Sequence, residues 1–301
     1  MRRLSRLAVL VATFFVMMDI PITRALGSTP GGSTGITGQL WFNVCTAPFQ
    51  STMQTWWNSS PYWDIGLYIG GPDLSSGCKS SNLTAKWISN VNDQGWSFVP
   101  TWIGPQSHCA TVGTYGTYIS NDTTTAYNQG VTAADDAYTA AASLGFSSGS
   151  VIYDDIEGYS ATSTCGPAAN AFVRGWSTEL SALGDHVGIY GNPGNASDWF
   201  SLSPHPADVW IAAWVSGTAH RGFSVWNLTG LPNGDWQGDQ RHHQFHGDHH
   251  HTYGYVEVNP LDDNCGNGLA APSGSGTLET EPAGETAETQ SVTYDTSCPA
   301  P

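Results

Sequence analysis

The stretch SVIYDDIEGY, residues 150–159, runs from apolar Val151 and Ile152 into three acids, Asp154, Asp155 and Glu157. On a strand, alternate side chains share a face. Asp155 and Glu157 are therefore expected to point one way, and Asp154 and Ile156 the other. Two carboxylates held that close perturb one another unless a proton or a cation lies between them. Two carboxylates flanking a glycosidic bond are also the equipment for hydrolysing it. One protonates the leaving oxygen, and the other acts as nucleophile or activates water. Apolar neighbours would raise one pKa and so separate the two roles. The same cluster would also suit a Ca²⁺ site, a capped loop or an inherited site without activity.

Other residues invite a chemical reading. Trp102, Tyr190 and Trp214 fall at the ends of apolar runs, with Gln106 just beyond the first of them. Sugar rings stack their C–H faces on such aromatics, although core packing is the commoner fate of Trp and Tyr. The tract RHHQFHGDHHHTYG, 241–254, has enough imidazoles to hold Zn²⁺ or Ni²⁺. It lacks HExxH, however, and is read here as a loop at the mouth of the fold. His246 or Asp248 would then face the cleft, with no metal and no cofactor assigned. GxSxG is absent, so nothing points to a serine nucleophile.

The elements that must carry these residues alternate. Strands are expected over 40–46, 64–71, 96–104, the acidic stretch, 186–192 and 208–215, with two more near 241–246 and 254–260. Helices are expected over 51–59, 82–93, 124–145 and 167–184, with a helical turn near Trp199. Strands alternating with helices imply a parallel sheet. This count suits a single α/β domain, a closed (β/α)₈ TIM-barrel-like fold over residues 39–267. No GxGxxG opens the first helix, so a dinucleotide-binding sheet lacks its motif. In such a barrel the C-terminal strand ends line the active face, and Asp155 and Glu157 sit at one.

The rest of the chain frames that domain. Arg2, Arg3 and Arg6 precede the apolar run LAVLVATFFVMM and the small residues near Gly27, so residues 1–27 read as a signal peptide. An uncleaved anchor is the alternative, and the export route stays open between the general and twin-arginine pathways. Residues 28–38 form a flexible lead-in. Residues 268–301, rich in Glu without Lys or Arg, form a disordered acidic tail.

The 301 residues carry a formal charge of −16 with only 11% charged side chains. Removal of the leader makes the chain more acidic still. Such a surface argues against nucleic acid and anionic membranes. Cys45, Cys78, Cys109, Cys165, Cys265 and Cys298 lack CxxC spacing, and in an exported chain they read as disulfides of open connectivity. Five of them follow expected strands and should gather at the active-face rim.

Several segments occur together in an order that resembles one family: FNVCTAPFQSTMQTWW, SPYWDIGLYIGG, GWSFVPTWIGPQ, ADDAYTAAASLGF, VIYDDIEGY, VGIYGN, DVWIAAW and QFHGDHHHTYG. They resemble the secreted glycoside-hydrolase-like domain of unknown function typified by a mycobacterial exported protein, itself distantly similar to family 25 lysozymes. The likeness covers residues 38–266. It implies a (β/α)₈-like barrel with Asp155 and Glu157 in the site. The family carries Asp in a Gly-Phe-Asp run at the end of the first strand, where Trp41-Phe42-Asn43 stands here. Asn43 would then orient water or an N-acetyl group, and Asp262 or Asp263 is left as a further cleft carboxylate. The expectation is a monomeric protein, secreted or cell-wall-associated. It would act on peptidoglycan or another polysaccharide, or bind such a polymer without cleaving it. A metal-dependent hydrolase using the histidines is a third class.

Overall fold

Apolar runs and amphipathic helices alternate as the spacing predicts. The computed structural model describes residues 35–271 apart from 112, 114, 162–163 and 216–222. The expected signal peptide, residues 28–34 and the chain beyond 271 lie outside the described residues. In order come β1 (Gly35–Thr37), β2 (Leu40–Val44), α1 (Gln50–Ser59), β3 (Asp64–Gly70), α2 (Ala85–Asp93), β4 (Ser97–Trp102) and α3 (Thr123–Ser143). They are followed by β5 (Val151–Asp155), α4 (Gly166–Ala182), β6 (His186–Gly191), α5 (Pro193–Phe200), β7 (Asp208–Ala212), β8 (Arg241–Tyr253) and β9 (Val256–Ala270). Helix starts are chemically marked: Thr84, Asp122 and Asn192 accept backbone N–H bonds as N-caps of α2, α3 and α5.

Strands β2 to β8 pair in sequence, all parallel. β9 inserts between β8 and β2, antiparallel to both, and closes the barrel. Eight strands in the ring match the expected barrel, but the last strand runs the other way. The cause is local. Only Gly254 and Tyr255 separate β8 from β9, and both have positive φ, 56° and 64°. A two-residue turn of that kind makes a hairpin, whereas a parallel pair needs a long crossover.

No helix is found among the described residues between β7 and β8. The fully buried Arg241 organises that connection instead. Its guanidinium donates to the carbonyls of Val225, Pro232 and Asp235 and lies 4.3 Å from the Trp226 ring.

Both expected domain edges shift. Part of the lead-in, Gly35–Thr37, is a strand paired with Gly268–Ala270. The first residues of the expected tail close the barrel floor. Leu269 N–H donates to Asp208 Oδ2 at 2.8 Å, and its carbonyl accepts from the Tyr153 hydroxyl at 2.8 Å. Ala271 then crosses to bridge Phe98 of β4. A Cβ on Gly268 would lie 2.6 Å from both Asp208 and His242, so only glycine passes there. Trp41 Nε1–H donates to His242 Nδ1, which leaves Nε2 to carry the proton toward the Leu269 carbonyl. Burial pushes this imidazole down to about 3, so it stays neutral.

Outside the barrel, α3 and α4 meet almost backbone to backbone. The buried face of α3 is Ala126, Gly130, Ala133, Ala134, Ala137 and Ala141. A Cβ on Gly130 would come within 2.1 Å of the Phe172 carbonyl oxygen, and one on Gly175 within 2.1 Å of that of Tyr127. Ala ordinarily gains up to about 1 kcal/mol over Gly inside a helix. Gly130→Ala is nonetheless expected to destabilise, by about 1–3 kcal/mol, because the neighbouring backbone must move. Urea unfolding of the two proteins measures it, and an unchanged or raised midpoint contradicts this packing.

Candidate active site at the barrel mouth

β5 delivers the acids. Asp155 is its last residue and is buried; Glu157 lies two positions on and is partly exposed. The segment beyond the strand is held in place: Ile156 N–H bonds the Tyr190 carbonyl, and Glu157 N–H bonds Gln106 Oε1 at 2.8 Å. Gln106 also donates to the carbonyls of Asp155 and Gly104. Wholly buried, it latches the strand end and does not reach the open cleft. Burial pushes Asp155 well above the usual carboxylate range, the charge of Glu157 adds to this, and the Tyr68 hydroxyl, donating at 2.9 Å, opposes it. Burial raises Glu157 as well. Asp154, the third acid, faces outward, its Oδ1 close to Gly104 with the Phe172 ring of α4 beside it; burial raises it too. Asp154 and Asp155 therefore lie on opposite faces of β5.

The opposite wall comes from β2, β8 and β9. Asn43 Nδ2 donates to Asp262 Oδ2 at 2.7 Å, while its Oδ1 accepts from Asn264 at 2.8 Å and from Gln244 at 3.3 Å. Gln244 Oε1 accepts from the Tyr190 hydroxyl at 3.0 Å and from Trp214 Nε1 at 2.8 Å. Two donors on that oxygen fix which way the amide faces. Asp262 also accepts from the backbone N–H of Asp248 at 2.8 Å, and burial raises its pKa. Asp263, the next residue, faces the outer layer, where Tyr62 and His251 bond it. Of the two acids named from sequence, Asp262 alone turns to the mouth.

The aromatic candidates divide. Tyr190 is at the site: burial raises its pKa, and the nearby charges of Asp155, Glu157 and Asp262 add to this. Trp214 is 61% exposed, and its ring lies over Gly247, where a Cβ would be 2.4 Å away. Trp102 packs on Gly70 and lines a cavity of about 370 Å³ against α3, facing Asn128, Thr132 and Ala133. Its odd-even phase in β4 turns it outward. The histidine tract is a strand and not a loop: His242 faces the barrel interior, and His246 packs near Asp263 on the outer side, away from the cleft. Asp248 is exposed at the rim.

Two disulfides staple the loops around this mouth, Cys45–Cys78 and Cys109–Cys165. The second ties the loop bearing Gln106 to the segment after Glu157. Such bridges typically contribute about 2–4 kcal/mol each. Cys265 is disulfide-bonded too, but within β9 opposite Leu40, toward the floor and not at the expected rim. Cys298 lies outside the described residues.

Residues 54–265 match the family described as Rv2525c-like, glycoside hydrolase-like domain. The chain belongs to that family. No curated protein matches the chain. Among solved structures it is similar to the Mycobacterium tuberculosis Tat-secreted protein Rv2525c, crystallised in complex with L-tartrate. Identity is 14%, the alignment covers 76% of this chain and 96% of that one, and the TM-score is 0.52. An uncharacterised B. stearothermophilus protein is 18% identical over 76% of this chain and 96% of that one, with a TM-score of 0.49. GHIP, a glycosyl hydrolase 25 of Streptococcus pneumoniae, is 16% identical over 76% and 86%, at 0.47. At such identities the likeness to Rv2525c shows the fold alone. No helix of the described residues is long and apolar enough to cross a membrane.

This Rv2525c-like domain also uses residues that the sequence reading passed over. Tyr68, Gln244 and Asn264 all touch the carboxylates or their holders. Strand parity was the available signal: Gly66 and Tyr68, His242 and Gln244, and Asp262 and Asn264 are pairs two apart on inward faces. Tyr115, on the loop above β4, lies near Glu157, though burial is the main cause of its raised pKa.

The folded state keeps the Asp155 proton to a higher pH than the unfolded chain does. Ionising Asp155 therefore costs stability as pH climbs from the unfolded value, about 3.9, through the raised folded one. Asp155→Asn should melt a few degrees above the parent at pH 7, with the gain vanishing below about pH 4. Calorimetry across that range checks it, and a variant less stable than the parent at pH 7 contradicts it.

Proposed function

We propose that this protein is an exported hydrolase of cell-wall or other polysaccharide, working through Asp155 and Glu157. The observation that carries the reading is the pair itself: two carboxylates at the barrel mouth, both raised by burial, the charge of one felt by the other. Such a pair holds one proton and one charge together, as acid-assisted glycoside cleavage requires. Glu157, the more open of the two, is the acid that reaches the leaving oxygen. Asp155, oriented by Tyr68, is the base or the stabiliser of the oxocarbenium-like transition state. Asn43 holds Asp262, which adds negative charge on the far side. The exposed Trp214 offers the surface on which a sugar ring stacks, and the buried Tyr190 fixes Gln244 beside it. The disulfides, and the Tat-secreted character of Rv2525c, support an exported location.

A binding role without turnover is the second reading. It is favoured by Asn43, an amide spent on hydrogen bonds where the resembling family carries a carboxylate.

Purified mature protein incubated with peptidoglycan and a polysaccharide panel separates the two when released reducing ends and pull-down are scored independently. Glu157→Gln should lower the release rate by roughly 10²–10⁴-fold and leave pull-down intact. Binding with no release from the parent protein would install the second reading, and release that survives Glu157→Gln would remove the first.

Trp214→Ala should raise KM by roughly three- to tenfold, the worth of one stacking contact of about 0.5–1.5 kcal/mol, with kcat little changed. An unaltered KM places the sugar elsewhere.

A further inference from the structure

The histidines of β8 have no part in the cleft, yet they are not scattered. Strict alternation along a strand would put positions 246 and 249 on opposite faces. The β8–β9 register shifts between Gln244 and His246, again between His246 and His249, and again between His249 and His251. Each irregularity re-aims a side chain, as bulges do. The result is that His246, His249 and Asp263 offer ligand atoms that all lie within 4.8 Å of one another. His246 Nδ1 is 3.9 Å from Asp263 Oδ2, and the His246 and His249 rings are 4.6 Å apart.

We infer that His246, His249 and Asp263 form a binding site for one Zn²⁺-class cation on the outer face of the β8–β9 hairpin. Two imidazoles and a carboxylate are the donor set of a borderline transition metal, whereas Ca²⁺ and Mg²⁺ prefer all-oxygen shells. Ligand atoms around a tetrahedral Zn²⁺ stand roughly 3.4 Å apart, given bonds of about 2.0–2.1 Å. Closing from the present spacing takes side-chain rotations of about an ångström.

The carboxylate is already aimed. Tyr62 donates its hydroxyl to Asp263 Oδ1, leaving Oδ2 toward the histidines. Outer partners of this kind orient metal ligands generally. His251 bonds the same Oδ2 at 3.0 Å and would give way to the ion or become its fourth ligand. Phe223 and Phe245 pack beside His246 and give the site an apolar flank. Asp262 and Asp263 are successive residues on opposite faces of β9, so the ion lies across the strand from the carboxylates of the cleft. The site therefore stands or falls independently of hydrolysis.

Titration of untagged, EDTA-stripped mature protein with Zn²⁺ by calorimetry should give one ion per chain and a raised melting temperature. His249→Ala, at a half-buried position that should fold, is expected to weaken Zn²⁺ by at least about tenfold and to cancel the thermal shift. Tyr62→Phe should weaken it by roughly 10–100-fold. His250→Ala, at an exposed neighbour in the same tract, should change neither. Equal affinity in the parent and His249→Ala, or loss in His250→Ala, would show loose capture by a histidine-rich surface and overturn the assignment.

Discussion

The barrel depends on the direction of its last strand. Because Gly254 and Tyr255 alone turn the chain, β9 returns antiparallel and slots between β8 and β2. That single reversal fixes which of its residues look inward. Asp262 and Asn264 meet Asn43 and Gln244, Asp263 meets Tyr62 and the outer histidines, and Gly268–Ala271 run under the barrel and shut it. A slip of one residue would exchange the two acids, turning the buried Tyr62 partner into the cleft and a cleft acid into the helical layer. Register here is a chemical specification as much as a packing one.

Much of this was legible in the residues. Apolar runs located the strands, and the two-residue spacing of Asp155 and Glu157 was the pointer to the mouth. What escaped was anything decided across strands. Trp102 is at a strand end like Tyr190, but its parity turns it toward α3. The histidines look like a rim loop because polar runs usually are. They sit on a strand here, and two of the six imidazoles are held by backbone carbonyls, His242 on Leu269 and His243 on Ser224 and Ala213. Gln244 and Asn264 carry no motif and become visible only when the barrel brings β8 and β9 against β2.

The interior is polar to a degree that needs accounting. Asn43, Asp155, Asp208, Gln244 and Asn264 are all buried. Buried polar groups are tolerated when hydrogen-bonded and costly otherwise. Toward the mouth the amides of Asn43, Gln244 and Asn264 form a connected chain, which makes that wall rigid. Asp155 stands apart, with one oxygen on Tyr68 and the other buried without a hydrogen bond among the described residues. Stability is given up at the acid, where chemistry would use it, and recovered in the amide wall beside it.

The pairing of Gly35 with Ala270 brings the two edges of the domain side by side beneath the floor. Gly35 and Ala270 thus lie at one pole, and the carboxylates open at the other. The same adjacency lets a short linker join the two edges, so that new termini can be cut elsewhere in the ring without touching the mouth. The fold is in this sense a ring of chain whose two edges meet at the base.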